Sequence, residues 1–369
     1  MKKKVLFLIP NLMHGGAEKV LVNLVNNLSQ DKYDITVQTL FDVGVHRQSL
    51  KGHIHYKGGW KKQPRGMTVL MKLFSPKFLY KRVVKDRYDV VISYLEGPTA
   101  RIVSGCQDVE TKTVCVLHTQ FITDEVAKVG FRSMKEAAYC YASFDEVVAC
   151  GKTVKEGFDD KFLRAKPVKI LYNVNETEQI IEKAKILPED VTFEGINLCT
   201  AGKLIPVKAF DRLARAHKRL LDDGYTHNVY IMGVGEEQTK LESLIEELGV
   251  KDTFHLLGYK DNPYAYVSRS DIYVCSSLRE GFSTATTEAL VLGVPVVTTE
   301  CSGMKEQLGE NDEYGIVTEN NEDALYEGLK KMLSSPELLA AYKEKATIRG
   351  KDFSRAATVN AFEEFLDNL

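Results

Sequence analysis

No apolar run in the 369 residues approaches the roughly 18–20 needed to cross a membrane. The strongest runs, at 5–10 and 289–297, are short and strand-like or interrupted. Met1-Lys2-Lys3-Lys4 looks like the start of a secretion signal, but its apolar sequel stops at Pro10-Asn11, which suits a buried first strand better. The seven cysteines contain no C-x-x-C pair, and their odd number argues against a disulfide framework. Cys115 and Cys275 lie inside apolar runs, where a reduced thiol packs as a small hydrophobe. A reducing compartment, the cytosol, is therefore expected. The eight histidines show no H-x-x-H or H-E-x-x-H spacing, so no metal site is read from them. Gly15-Gly16 has neither the spacing nor the third glycine of a dinucleotide fingerprint, which makes a dinucleotide oxidoreductase the least favoured reading. There is no internal repeat and no low-complexity tract.

What is present is an ordinary globular composition, 44% hydrophobic and 27% charged, over a length that favours two domains. The net charge of −2 hides a division: residues 1–172 carry +11 and residues 173–369 carry −13. Short β-rich runs alternate with amphipathic stretches, the pattern of parallel sheets covered by helices. Strands are expected at 4–9, 35–40, 89–94, 113–117, 146–149 and 168–171. A second series is expected at 196–200, 228–232, 253–256, 271–275 and 294–299. Helices are read at 17–28, 210–221, 238–248 and 284–292 from apolar residues at helical spacing. Periodicity stops near Tyr172-Asn173-Val174-Asn175. The expected fold is α/β, with Rossmann-like doubly wound domains at 1–172 and 173–350. A last helix in 351–369 must dock somewhere, and the first domain is a candidate. Such domains bind ligands at the carboxyl ends of their strands, here in a cleft between them.

Chemistry concentrates in Glu280-Gly281-Phe282-Ser283-Thr284-Ala285-Thr286-Thr287-Glu288. A strand ends near Cys275, a loop carries Glu280, and a helix begins at Ser283 or Thr284. Free amides at that helix start suit a diphosphate, and Gly281 lets the backbone approach it. Glu280 can accept from sugar hydroxyls, and Glu288 from both hydroxyls of a ribose. A capping box is a weak alternative for Glu288, since Ala285 stands where Ser or Thr is needed. A plain carboxylate opposing the helix dipole stays open for Glu280. Lys203 and Lys208 sit before another helix, where cations are unfavourable unless an anion compensates them.

Glu280 and Glu288 within E-G-F-S…E-A-L…G-x-P-V-V resemble the nucleotide-sugar site of family 4 glycosyltransferases. Ala201-Gly202-Lys203-Leu204-Ile205-Pro206-Val207-Lys208 is similar to that family's G-R-L-x-x-x-K segment, with Lys203 in place of its usual Arg and Ala209 in place of its usual Gly. Ile231-Met232-Gly233-Val234-Gly235-Glu236 resembles its strand and G-x-G turn, and His14-Gly15-Gly16-Ala17-Glu18 its G-G-A-E opening. The resemblance implies a retaining glycosyltransferase of the GT-B fold. A sugar would move from a nucleotide donor, UDP-sugar favoured, to a hydroxyl of a lipid-linked or cell-surface polysaccharide acceptor. Glu280 and His118 would act at the reacting sugar, Glu280 without being a nucleophile. Gly16, Lys203, Lys208, Gly281, Phe282, Ser283, Thr284 and Glu288 would hold the donor. No D-x-D occurs, so a helix start and lysines stand where a metal ion would otherwise carry the diphosphate; no metal and no cofactor are expected. Two rivals stay open: an inactive GT-B partner subunit, and a GT-B nucleotide-sugar 2-epimerase.

The basic half has a separate signal. Residues 57–85 hold nine Lys or Arg and no Asp or Glu, interleaved with apolar residues and with Trp60, the only tryptophan. This is the composition of a peripheral contact with an inner membrane leaflet, or of a polyanion or acceptor site. A buried apolar set with a solvated lysine face is the bland alternative. Nucleic acid is disfavoured, because no nucleic-acid module accompanies the segment.

Overall fold

In the computed structural model, which describes residues 2–13, 16–62, 66–163, 167–280, 282–301 and 303–369, the first apolar run becomes β1 (Lys3–Ile9), its last five residues fully buried. A strand covered on both faces reads as a continuous apolar run rather than an alternating one. Beside β1 lie β2 (Tyr33–Thr39), β3 (His55–Lys57), β4 (Val90–Ser93), β5 (Lys112–Leu117), β6 (Glu146–Ala149) and β7 (Lys169–Ile170). They form a parallel sheet of order β3-β2-β1-β4-β5-β6-β7. The helix Gly16–Asn27 follows β1 and buries Val20, Leu21, Leu24 and Val25.

A second parallel sheet, of order β10-β9-β8-β11-β12-β13, is built from β8 (Asn197–Ala201), β9 (Asn228–Met232), β10 (Phe254–Gly258), β11 (Ile272–Cys275), β12 (Val296–Thr299) and β13 (Ile316–Thr318). Strands β3 and β13 are absent from the sequence reading. Each is a three-residue edge strand without an apolar run of its own. In both sheets the strand order reverses beside the first strand of the series, at β1/β4 and at β8/β11. Ligands of doubly wound sheets bind beyond the carboxyl ends at such a reversal.

The chain divides into two units, one of Met1–Asn175 with Ala356–Leu369 and the other of Glu176–Arg355. The sequence reading put the first boundary at residue 172. In the first unit, the final helix (Arg355–Asp367) buries Val359, Phe362, Phe365 and Leu366 against the core that contains Phe7. Lys3 Nζ donates to the Leu366 carbonyl at 2.6 Å, and Lys32 pairs with Glu363 and Asp367 at 3.3 and 3.0 Å. In the second unit, Arg355 reaches Glu176 at 3.0 Å and Glu178 at 3.1 Å, which ties its last residue to its first turn.

The second core contains a chain of neutral rings. His227 Nδ1 lies 2.9 Å from the Tyr225 carbonyl, which can only accept, so Nδ1 carries the proton and Nε2 accepts. His217 Nδ1, 2.8 Å from that Nε2, must then donate, and His217 Nε2 accepts from the Thr253 hydroxyl at 2.9 Å. Burial, then His227 and His255, depress His217 from 6.5 to about 3, and burial lowers His227 as well. The unfolded chain therefore binds more protons as pH falls below 6.5, and stability falls with it. Between pH 7.5 and pH 5 the second unit should lose about 2 kcal/mol. Urea unfolding at the two pH values tests this, and coincident midpoints would contradict the neutral chain.

Candidate active site

The loops after β8 and β11 lie at the reversal of the second sheet, and they meet. After β8 the chain forms a single 3-10 turn, Pro206–Lys208, and then the helix Phe210–Asp222. Ala209 between them is left-handed (φ 48°, ψ 46°), a conformation that costs a residue with a Cβ about 1–2 kcal/mol. The turn is anchored from the β11 side: Leu278 N donates to the Val207 carbonyl at 2.8 Å, and Ser276 Oγ to the Lys208 carbonyl at 2.8 Å. It is also fastened to the loop after β9. Gly202 N reaches the Met232 carbonyl at 2.9 Å and Leu204 N the Val234 carbonyl at 3.1 Å. A Cβ on Gly233 would stand 1.8 Å from the Gly202 oxygen, and one on Gly235 2.2 Å from the Leu204 oxygen. The G-x-G turn thus owes its glycines to this close approach.

On that frame Lys208 Nζ meets Glu280 Oε1 at 2.6 Å, both side chains largely buried. Ser277 Oγ donates to the same oxygen at 2.7 Å, and Cys275 Sγ lies 3.9 Å from it. The carboxylate is held by converging donors rather than left loose in a loop. The helix Thr284–Val291 follows, capped by Ser283, whose Oγ accepts from Thr286 N at 3.3 Å. Its other first-turn amides have no acceptor within the helix. The Ser283 carbonyl accepts from Gln307 Nε2 at 2.8 Å, and the same nitrogen reaches Thr287 Oγ1 at 2.7 Å. Phe282 packs edge-on against Phe353 at 5.9 Å between centroids. Glu288 Oε1 accepts from the Tyr264 hydroxyl at 3.0 Å, whose pKa is raised by burial first and then by Glu288.

Lys208, Glu280, Phe282, Ser283, Thr284 and Glu288 thus all stand beside one end of one sheet. Lys203 is exposed on the same loop as Lys208. Gly281 lies outside the described residues. Three residues that the sequence reading did not single out hold the group: Ser277, Tyr264 and Gln307. Ser277 follows β11 by two residues, a position that signals a ligand-facing loop once the strand is known.

In the first unit, Gly16 opens the helix after β1, and a Cβ there would meet no atom within 4 Å, so the protein's own packing does not demand glycine. His118 follows β5 directly; its backbone N–H donates to Glu96 Oε2 at 2.9 Å and its ring lies 5.0 Å from Tyr94. Its Nε2 is out of solvent and without a hydrogen-bond partner among the described residues. Burial lowers its pKa, with Glu96 acting in the opposite sense, so the ring is neutral near pH 7.

The basic segment folds as two short helices, Met67–Met71 and Pro76–Val83. They leave Val69, Leu70, Leu73, Phe74 and Phe78 exposed, Leu73 by 73%, with Phe74 and Phe78 stacked at 5.1 Å. Exposed Lys77, Lys81 and Arg82 lie on the second helix. Among the described residues no helix is long and apolar enough to cross a membrane, and no three His, Cys, Asp or Glu are grouped to hold a metal ion.

Residues 181–349 match the glycosyl transferases group 1 family, and residues 14–179 match glycosyltransferase family 4. The chain is 30% identical over 356 residues to the N-acetylgalactosamine-N,N'-diacetylbacillosaminyl-diphospho-undecaprenol 4-alpha-N-acetylgalactosaminyltransferase of Campylobacter jejuni, covering 94% of each. A second Campylobacter jejuni protein, the GalNAc-alpha-(1->4)-GalNAc-alpha-(1->3)-diNAcBac-PP-undecaprenol alpha-1,4-N-acetyl-D-galactosaminyltransferase, is 25% identical over 360 residues, covering 95% of this chain and 94% of its own. Among solved structures, HepE of Anabaena in complex with UDP superposes with a TM-score of 0.79 at 18% identity, over the full length of both chains.

Proposed function

Since the chain belongs to the family 4 glycosyltransferases and has their two-domain GT-B fold, we propose that it transfers a sugar, with retention, from a UDP-sugar to a hydroxyl of a polyprenyl-diphosphate-linked glycan. The observation that carries this reading is the Lys208–Glu280 pair beside the capped start of the helix Thr284–Val291. The names of the Campylobacter jejuni relatives supply the acceptor class and the alpha linkage.

In this reading Lys208, Lys203 and the amides of 282–284 face the diphosphate, Glu288 takes the ribose hydroxyls, and Glu280 orients the donor sugar. The bond from the anomeric carbon to the diphosphate breaks as the acceptor oxygen bonds the same face. The acceptor proton passes to a phosphate oxygen of the leaving UDP. The lysines and the helix start stabilise the charge that develops there, a contribution that needs no metal ion. His118, neutral and with Nε2 unpartnered, is suited to a sugar hydroxyl, and Gly16 to close approach of the ligand.

A panel of UDP-N-acetylgalactosamine, UDP-N-acetylglucosamine, UDP-glucose and GDP-mannose tests the donor, with and without EDTA. UDP release from at least one UDP-sugar, unchanged by EDTA, is expected. Activity lost on chelation and restored by Mg²⁺ would end the metal-independent part, and a beta product by NMR would end retention. A preference for GDP-mannose would overturn the donor.

The exposed apolar side chains of 69–78 and their lysines support reversible contact with an anionic leaflet, where each cation near the surface contributes about 1 kcal/mol. Co-sedimentation with phosphatidylglycerol vesicles is expected for the native chain. Equal binding by a Leu73→Glu/Phe78→Glu variant would exclude this patch.

A further inference from the structure

Trp60 is held firmly and yet displayed. Its backbone N–H donates to the Leu40 carbonyl at 2.8 Å, and its backbone carbonyl accepts from Asp42 N at 2.7 Å. The indole lies 6.0 Å from buried Phe41 but remains 46% exposed. The approach that fixes it needs glycine next door, because a Cβ on Gly59 would stand 2.1 Å from the Leu40 oxygen. An aromatic side chain on a fixed backbone gains no folding energy from its exposed half, and a ligand that covers it has only side-chain freedom left to take away.

Trp60 lines an open cavity of about 450 Å³ at the carboxyl end of β2, with Gln38, Thr39, Arg82 and Lys85 also in its wall. This volume lies within the range of small-ligand sites. Gln38 Nε2 donates to the Val83 carbonyl at 2.8 Å, which joins the sheet to the segment that carries the two cations. Thr39 Oγ1 shares a hydrogen bond with the Tyr56 hydroxyl at 2.9 Å. Arg82 and Lys85 are exposed and have no carboxylate within ion-pair distance among the described residues. Lys57, in the same segment, is by contrast neutralised by Asp86.

We propose that this pocket is a binding site for an anionic glycan residue, a sugar bearing a carboxylate or a phosphate. The apolar face of the ring packs on Trp60, a hydroxyl meets the half-buried Gln38 side chain, and its anionic group meets Arg82 and Lys85. A guanidinium beside an ammonium is a strong receptor for such an anion. The site does not depend on the transfer reaction, and it stands or falls without it.

Trp60 is the only tryptophan in the chain, so its emission reports this pocket directly. Titration with trigalacturonic acid should change the emission saturably, at concentrations at least about tenfold lower than neutral maltotriose requires. In an Arg82→Gln/Lys85→Gln variant that preference should disappear, while stabilisation of the chain by UDP is unchanged. No saturable response, an equal response to maltotriose, or undiminished binding by the variant would overturn the proposal. So would inorganic pyrophosphate reproducing the full emission change, which would make the pocket an anion site without a saccharide component. Loss of UDP stabilisation in the variant would overturn the separateness of the two sites.

Discussion

Replacing Glu280 by alanine is expected to lower the turnover of donor sugar by about 100- to 1,000-fold, the range found when one preorganised group at a developing charge is removed. Three donors converge on Oε1, Lys208 Nζ at 2.6 Å, Ser277 Oγ at 2.7 Å and Cys275 Sγ at 3.9 Å, so the carboxylate has one orientation before substrate arrives. Alanine removes that acceptor and also releases Lys208, whose position is then no longer set by the carboxylate. Under the proposed donor pose the loss should appear in kcat more than in donor KM, because Lys203, the amides of 282–284 and Glu288 would still hold the nucleotide. Lys208→Ala should act more on donor KM. Single-turnover kinetics with each variant separates the two. Near-normal transfer by a folded Glu280→Ala chain would remove Glu280 from the reaction. The amide of Glu280→Gln keeps the shape and the Ser277 contact but not the charge, and its activity measures how much of the effect is electrostatic.

Replacing Arg101 by leucine is expected to cost the first unit about 3–5 kcal/mol, as breaking a buried charge cluster does. Arg101 is 1% exposed and bonds the Met71 carbonyl at 3.0 Å, the Phe74 carbonyl at 2.6 Å and Glu136 Oε1 at 2.9 Å. It thereby fixes the end of the helix Met67–Met71, which carries Leu70, and the turn after it that presents Leu73 and Phe74. Burial favours the neutral Glu136 acid, but Arg101 and Arg132 outweigh it and hold its carboxyl below the usual range. With Arg101 gone only Arg132, at 3.7 Å, still faces that carboxylate. Lysine should not rescue, since one ammonium cannot span two carbonyls and a carboxylate in the plane of a guanidinium fork. Urea unfolding measures the loss. Vesicle binding should weaken in parallel if the clamp is what keeps the apolar side chains displayed. A change below about 1 kcal/mol would show that the loop is held by other contacts.

The alternating strand–helix pattern was legible because parallel strands buried on both faces appear as bare apolar runs, and because helices such as Phe210–Asp222 and Gln238–Leu248 keep their apolar residues at helical spacing. Strands β3 and β13 were not, since three residues at a sheet edge carry too little pattern. Around the candidate site, residues with a motif of their own could be read: Glu280, Glu288 and Lys208. Their supports could not. Tyr264 lies 24 residues from the carboxylate it meets, and Gln307 lies 24 from the carbonyl it holds, and neither has a local spacing that marks it. The nine cations of 57–85 looked alike in sequence, whereas the fold neutralises Lys57 and leaves Arg82 and Lys85 beside a cavity.

The final helix belongs to the unit in which the chain begins, so the second unit is an insertion inside the first. During synthesis, residues 176–355 leave the ribosome before the first unit has received Phe362, Phe365 and Leu366. The later-encoded unit can therefore be complete while the earlier one still exposes the core around Phe7 and Val20. A chain truncated after residue 355 should contain a protease-resistant second unit joined to a first unit that is still cleaved. The unit encoded later is thus the one whose residues are contiguous, and it can fold without waiting for the other.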